Sequence, residues 1–285
     1  MLFTATVFAS NHIAARFAFD DGLGVTTAVT VRSFATAACL IALISFFKVP
    51  INLTRGLVGR GIVIGGLIAW QSYCLYSAVA RIPVALALLV FNTFPIVMAL
   101  ISWLIGGELP KKRTWIAMPI VLLGLTLALD VVGKLGSIEE ISRRWSDIGP
   151  GVLYGLMASL SFATALFLTS RWMKGVDGRV RALLSMTTVG VIVLVVSLAT
   201  TGFAFPHSPK GWVCLVLLSI FYGSAFTALF VLLPKLGTAN NTVLLNFEPI
   251  AALVMGFLIL GQTVTNIQML GAVIVMSAIA YLSLQ

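Results

Sequence analysis

Charge is what this sequence has least of. Only 9% of its 285 residues are charged, where a soluble domain averages about 25%. Too little polarity remains to coat a water-facing surface, which excludes an ordinary soluble domain. The apolar runs are too long for strands of an outer-membrane barrel. Cysteine is scarce as well: Cys39, Cys74 and Cys214 lie far apart within apolar runs. They predict packing residues, with no disulfide framework and no metal site. The two histidines, His12 and His207, stand in no metal-binding spacing. Phosphate-cradling glycine loops and nucleophile elbows are absent, so neither a catalytic constellation nor a cofactor is expected. Gly65-Gly66 and Gly106-Gly107 lie within or at the ends of apolar runs, where close helix packing explains them.

What is present is apolar: 60% of residues are hydrophobic and the mean hydropathy is +1.08. About twenty apolar residues cross a bilayer as a helix. On that measure the chain is an all-α membrane protein with ten spans: Leu2–Phe19, Val25–Phe47, Leu57–Ala80, Val84–Ile105, Thr114–Val132, Gly149–Arg171, Val180–Thr201, Gly211–Leu233, Ala239–Leu260 and Thr265–Leu284. The first has no basic leader segment and is expected to be retained. The net charge of +9 therefore predicts no nucleic-acid partner. Lys and Arg sit in the connections, where they orient the chain in its lipid bilayer. One side holds Lys48, Arg55, Arg60, Lys111, Lys112, Arg113, Arg171, Lys174, Arg179, Arg181 and Lys235, against only Glu108 and Asp177. The other holds Arg16, Arg32, Arg81, Lys134, Arg143, Arg144 and Lys210, nearly balanced by six acids. Both termini are then expected in the cytoplasm, in a cell inner (plasma) membrane.

Two stretches echo each other. Val90–Glu108 and Leu244–Gln262 align at a shift of 154 positions, placing Asn92 on Asn246, Pro95 on Pro249, Ile96 on Ile250 and Gly107 on Gly261. Five spans per half is an odd number, so the second half starts from the opposite side. Two inverted five-helix repeats follow, residues 1–132 and 149–285, a plan that places a solute site near the midplane. Residues 133–148 join them. Ser137 and Glu140 form a capping box, and Ile138, Ile141, Trp145 and Ile148 share one face. They predict an amphipathic helix on the outer surface; a solvated linker is the alternative.

Polar residues inside the spans face protein or a wet cavity, because lipid penalises them. Glu248 is the only acid deep in a span. It either binds a cationic solute or exchanges a proton as coupling ion, or it is a hydrogen-bonded packing group. Pro249 and Pro95 kink their helices and are candidate hinges. Asn92 and Asn246 either bridge the broken backbone or bond a solute. Trp70, Tyr73 and Tyr76, with Tyr154 and Tyr222 from other spans, suit a pocket for a part-apolar solute. Asn11 and His12 form a polar cluster in the first span. With Arg16, Arg32 and Arg81 read as lying near span ends, a polyanion such as a nucleotide sugar or phosphate ester is a weaker expectation than a zwitterion. A membrane enzyme on lipid-linked substrates is the other class, and it needs convergent acids or metal ligands that the sequence lacks.

Several motifs carry a family resemblance. Leu104–Glu108 followed by a basic turn and Trp115-Ile116-Ala117 resembles an EamA-type repeat of the drug/metabolite transporter superfamily. Asn246–Gly261 with Glu248-Pro249, then Gln268-Met269-Leu270-Gly271, resembles its partner repeat. Ser10-Asn11 and Arg32 also match positions of that family. The sequence departs from it at Gln262 and Ala117, and no tryptophan lies in the expected place on the first span, where Phe8 is the nearest large residue. The resemblance implies a five-plus-five inverted arrangement and secondary export of small organic solutes by alternating access. Amino acids and related metabolites are the commonest cargo of its bacterial members.

Overall fold

The computed structural model describes residues 2–51, 54–106, 116, 119–121, 123–124, 127–128, 138–200, 202–236, 248–261 and 265–283. Ten helices are defined there: α1 (Leu2–Asp20), α2 (Val25–Phe46), α3 (Arg55–Arg81), α4 (Val84–Phe91), α5 (Phe94–Gly106), α6 (Ile138–Trp172), α7 (Gly178–Ala199), α8 (Pro209–Leu236), α9 (Glu248–Leu260) and α10 (Asn266–Ser283). No strand occurs among the described residues. Among the described residues, six segments are long and apolar enough to cross a membrane: Val25–Phe46, Arg55–Arg81, Val84–Ile105, Ser146–Trp172, Gly178–Ala199 and Pro209–Thr227. Ala251–Leu260 and Asn266–Ala278 are shorter apolar helices. The chain is a multi-pass membrane protein.

Three elements differ from the sequence expectation. The fourth span is two helices, because the chain turns at Asn92 and Thr93. The fifth span, Thr114–Val132, lies largely outside the described residues; its described pieces around 119–128 are helical. The segment after Ser137 does not end as a separate surface helix. It runs unbroken from Ile138 to Trp172 and carries Pro150 in its interior.

The duplication is visible in helix ends and in packing. At the shift of 154, α3 starts where α8 starts, and the described stretches of α5 and α9 fall on each other. Contacts are reciprocal. α1 packs on α8 and α9, as α6 packs on α3 and α5; α2 meets α8 as α7 meets α3, and α2 packs on α7. Such exchange of partners is what two repeats related by a two-fold axis produce.

Small residues set these approaches. Ala5, Ala9, Ala14, Ala15 and Ala18 of α1 are buried, letting helix backbones come close where lipid supplies no hydrophobic drive. A Cβ on Gly65 would lie 2.5 Å from Thr188 Cβ, so the α3–α7 crossing needs glycine there. At one membrane face the α1–α2 link is tied to the α7–α8 link. Gly24 N–H donates to Ala204 O at 2.9 Å, His207 N–H to Asp21 O at 3.1 Å, and Ser208 N–H to Asp21 Oδ2 at 2.9 Å. Gly22, at φ +93°, lies under the His207 ring, where a side chain would clash.

Candidate functional site

The cluster begins on α1. Phe8, Asn11 and His12 fall at i, i+3 and i+4 and share one face. Asn11 and His12 are buried, at 0% and 4% exposure. On α3, Ser72 and Tyr76 are likewise one turn apart and buried. Tyr76 OH donates to Asn11 Oδ1 at 2.8 Å and accepts from Arg32 Nη1 at 3.2 Å. Arg32 Nη2 donates to Ser72 Oγ at 2.8 Å, and Ser72 donates on to Gln71 Oε1 at 3.3 Å.

Arg32 is therefore not at a span end. It stands eight residues into α2 and is 3% exposed, about 10 Å along the helix axis at 1.5 Å per residue. Its Cζ sits 4.5 Å from the Tyr76 ring centre and 3.9 Å from that of Tyr222. This cation–π stacking, with the hydrogen bonds, holds a desolvated guanidinium. Tyr222 comes from α8 and packs edge-on against Phe8 and flat against Phe226.

Glu248 enters from the second repeat, as the first residue of α9. Its Oε1 lies 3.3 Å from His12 Nε2, with side chains 18% and 5% exposed. His12 also packs edge-on to Tyr76 at 5.7 Å. Three buried nitrogens of the cluster have no hydrogen-bond partner among the described residues: Asn11 Nδ2, His12 Nδ1 and Arg32 Nε.

The structure thus joins Asn11, His12, Tyr76, Tyr222 and Glu248, and it adds Arg32, Ser72 and Gln71. It does not bring in the remaining candidates. Trp70 is 47% exposed and stacks on Tyr73 at 6.0 Å; Tyr73 meets Tyr154 edge-on at 6.3 Å. Tyr154 carries Arg81 over its ring. These three form a separate aromatic run between α3 and α6. Asn92 turns back on its own helix, with Nδ2 donating to Leu88 O at 2.7 Å. Thr93 Oγ1 donates to Val90 O at 2.8 Å, so the break between α4 and α5 is satisfied locally. Pro95 is not an interior kink; it lies in the first turn of α5, where a missing N–H costs little. Pro249 holds the same place in α9. Asn246 lies outside the described residues. Among the described residues no group of three His, Cys, Asp or Glu is arranged to hold a metal. The signal that finds Arg32 in sequence is its place within an apolar run, a turn and more past Val25.

Comparison with known proteins identifies the family. Residues 1–129 and 149–284 match the model of the EamA-like transporter family. The chain belongs to that family; it is a membrane transporter and not a member of an enzyme family. A Synechocystis sp. protein described as an uncharacterized transporter is 23% identical over 252 residues, covering 84% of this chain and 70% of that one. Protein PecM of Dickeya dadantii is 25% identical over 217 residues, covering 72% and 66%. An uncharacterized transporter of Archaeoglobus fulgidus is 26% identical over 291 residues, covering 99% and 96%. A solved crystal structure superposes with a TM-score of 0.66 at 18% identity, covering 99% of this chain and 94% of that one. That likeness is one of fold.

Proposed function

We propose that this transporter exports small zwitterionic solutes, most readily amino acids or related metabolites, through the cluster between its repeats. The observation that carries the reading is a pair of opposite charges in one buried, tyrosine-walled network. Arg32 comes from the first repeat and Glu248 from the second. A carboxylate suits Arg32 and Asn11, whose Nε and Nδ2 have no partner among the described residues, and an ammonium suits Glu248. The fixed charges of the cluster cancel, which fits a solute of no net charge. A nucleotide sugar or phosphate ester needs several cations in the cavity, and this cluster supplies one.

Alternating access then proceeds by rocking one repeat against the other, with the half-helices α5 and α9 moving about Pro95 and Pro249. The termini lie in the cytoplasm on the distribution of Lys and Arg. Asn246, one turn before Pro249, is the remaining candidate for a solute contact.

Ligand-dependent thermal stabilisation of the purified protein tests the charge pairing. A bound solute at a hundredfold its Kd stabilises by about 2.7 kcal/mol. Leucine is expected to raise the melting temperature. Its decarboxylated amine and its deaminated acid are each expected to raise it much less. Equal stabilisation by all three would contradict two-ended recognition.

A further inference from the structure

His12 and Glu248 meet across the two repeats, and the imidazole is left half used. Nε2 faces the carboxylate at 3.3 Å, while Nδ1 is buried with no partner among the described residues. A buried ring nitrogen without a partner is costly, and its neighbour in the network, Asn11 Nδ2, is in the same condition. Both point to a ligand that supplies the missing bonds. The surrounding groups are few. α3 presents Tyr76, edge-on to His12, and α9 presents Glu248. Tyr222 of α8 is within electrostatic reach of Glu248, and Arg32 of α2 lies over both tyrosine rings. On α1 itself, Arg16 is the next charge, and it is bound to Asp20 and to Val79 O. α4 brings no titratable side chain.

We propose that the His12–Glu248 pair is a one-proton exchange site, at which a proton and the ammonium group of the solute compete. The inference rests on the transport of an amino-bearing solute argued above. With neutral imidazole, Nε2–H donates to Glu248 and the Nδ1 lone pair is free to accept. The pair then carries one negative charge and takes the ammonium, which donates to Nδ1 and to the carboxylate. A proton arriving at Nδ1 makes imidazolium. Both ring nitrogens become donors, the pair becomes neutral, and with Arg32 beside it the cluster carries one net positive charge. The ammonium loses Nδ1 as an acceptor, faces a neutralised carboxylate and is repelled. The solute leaves on the side the proton came from. When the opposite face opens, Nδ1 releases its proton and the next solute binds. One proton enters for each solute exported, and charge on the site balances over the cycle.

The test uses the full chain in proteoliposomes, with labelled leucine as probe and the membrane potential clamped. Counterflow without any gradient first reports transport alone. One proton per solute requires that a pH difference of one unit hold a tenfold leucine gradient. In counterflow, the half-saturating leucine concentration is expected to rise toward tenfold per unit as pH falls, with the maximal rate little changed. In Glu248→Gln it is expected to be high and flat with pH. Counterflow that persists while the pH difference sustains no leucine gradient would overturn the proton site and leave the transport reading standing. The same holds for a half-saturation that stays as steep in Glu248→Gln as in the native protein. Absence of counterflow of leucine, and of phenylalanine as a second probe, would overturn both.

Discussion

Tyr76 is the hinge of the hydrogen-bonded network, because one hydroxyl accepts from Arg32 and donates to Asn11. Removing it in Tyr76→Phe keeps the ring and its stacking but leaves two buried polar groups short of a partner. The expected cost is about 1–3 kcal/mol, read as a fall of several degrees in melting temperature in detergent. Tyr73→Phe, in the separate aromatic run, is expected to cost far less. At this scale the sequence is partly legible. Glu248 declares itself, because an acid deep in an apolar run needs a reason. Arg32 is less plain, because its place past Val25 marks depth within the run but not what surrounds it. Two tyrosines from α3 and α8 close over it, and neither is near it in sequence. Trp70 misleads for a related reason. Aromatic residues serve a pocket wall and a lipid-facing surface equally well, and this one is 47% exposed.

Among the elements, the paired half-helices α5 and α9 show how the duplicated unit has diverged. Phe94 and Glu248 start them at related positions. Phe94 packs against Phe91 and Phe162, whereas Glu248 meets His12. At the same shift, Ser72 and Tyr76 correspond to Phe226 and Phe230, and Tyr222 to Ile68. In sequence, the counterparts of Ser72 and Tyr76 are apolar, so the polar cluster breaks the symmetry of the repeat. The repeat is readable in sequence through Asn92 and Asn246. The full break at Asn92–Thr93 is not, since proline alone argues only for a kink. At the turn the backbone N–H groups of Asn92 and Thr93 bond Leu88 O and Val90 O, and the Asn92 amide and Thr93 hydroxyl add second bonds to the same carbonyls.

The tie between the α1–α2 and α7–α8 links is a second element-scale device. Asp21 lies there, outside the spans. The Ser208 backbone N–H holds its carboxyl below the usual 3.8, with the Ser208 hydroxyl and the His207 backbone and ring acting in the same direction. The folded value is the lower one, so this stabilisation is complete above the unfolded value of 3.8 and is lost as pH falls through the folded value. The tie is therefore constant through the neutral range. Any pH response of transport near neutrality must come from elsewhere. Asp21→Asn is expected to speed amide hydrogen exchange at Gly24 and Ser208 several-fold at neutral pH. Unchanged exchange would show that backbone bonds alone hold the tie. A different contact limits α10. A Cβ on Gly271 would lie 2.5 Å from Gly124 O and press on the Ala128 backbone. Gly271→Ala is expected to destabilise by about 1–3 kcal/mol, since backbone atoms cannot give way; a neutral melting temperature would place α10 elsewhere.

For the whole molecule, fold class was open to inspection and solute was not. Apolar run length and an odd number of spans per half lead to an inverted duplication, and reciprocal helix packing shows the two-fold pairing of the halves. Site geometry depends on which faces of α1, α2, α3, α8 and α9 turn toward one another. Periodicity is a weak guide to that in a bilayer, where apolar residues cover both the lipid side and the core. The central claim is that the Arg32–Glu248 cluster is where a zwitterion crosses between the repeats. Counterflow of labelled leucine into proteoliposomes, native protein against Arg32→Gln, tests it most directly. The account predicts saturable entry by the native protein, and a half-saturation raised about tenfold or more in the variant, as expected from losing one charge-assisted contact. Saturable leucine entry with the same half-saturation in Arg32→Gln would contradict it.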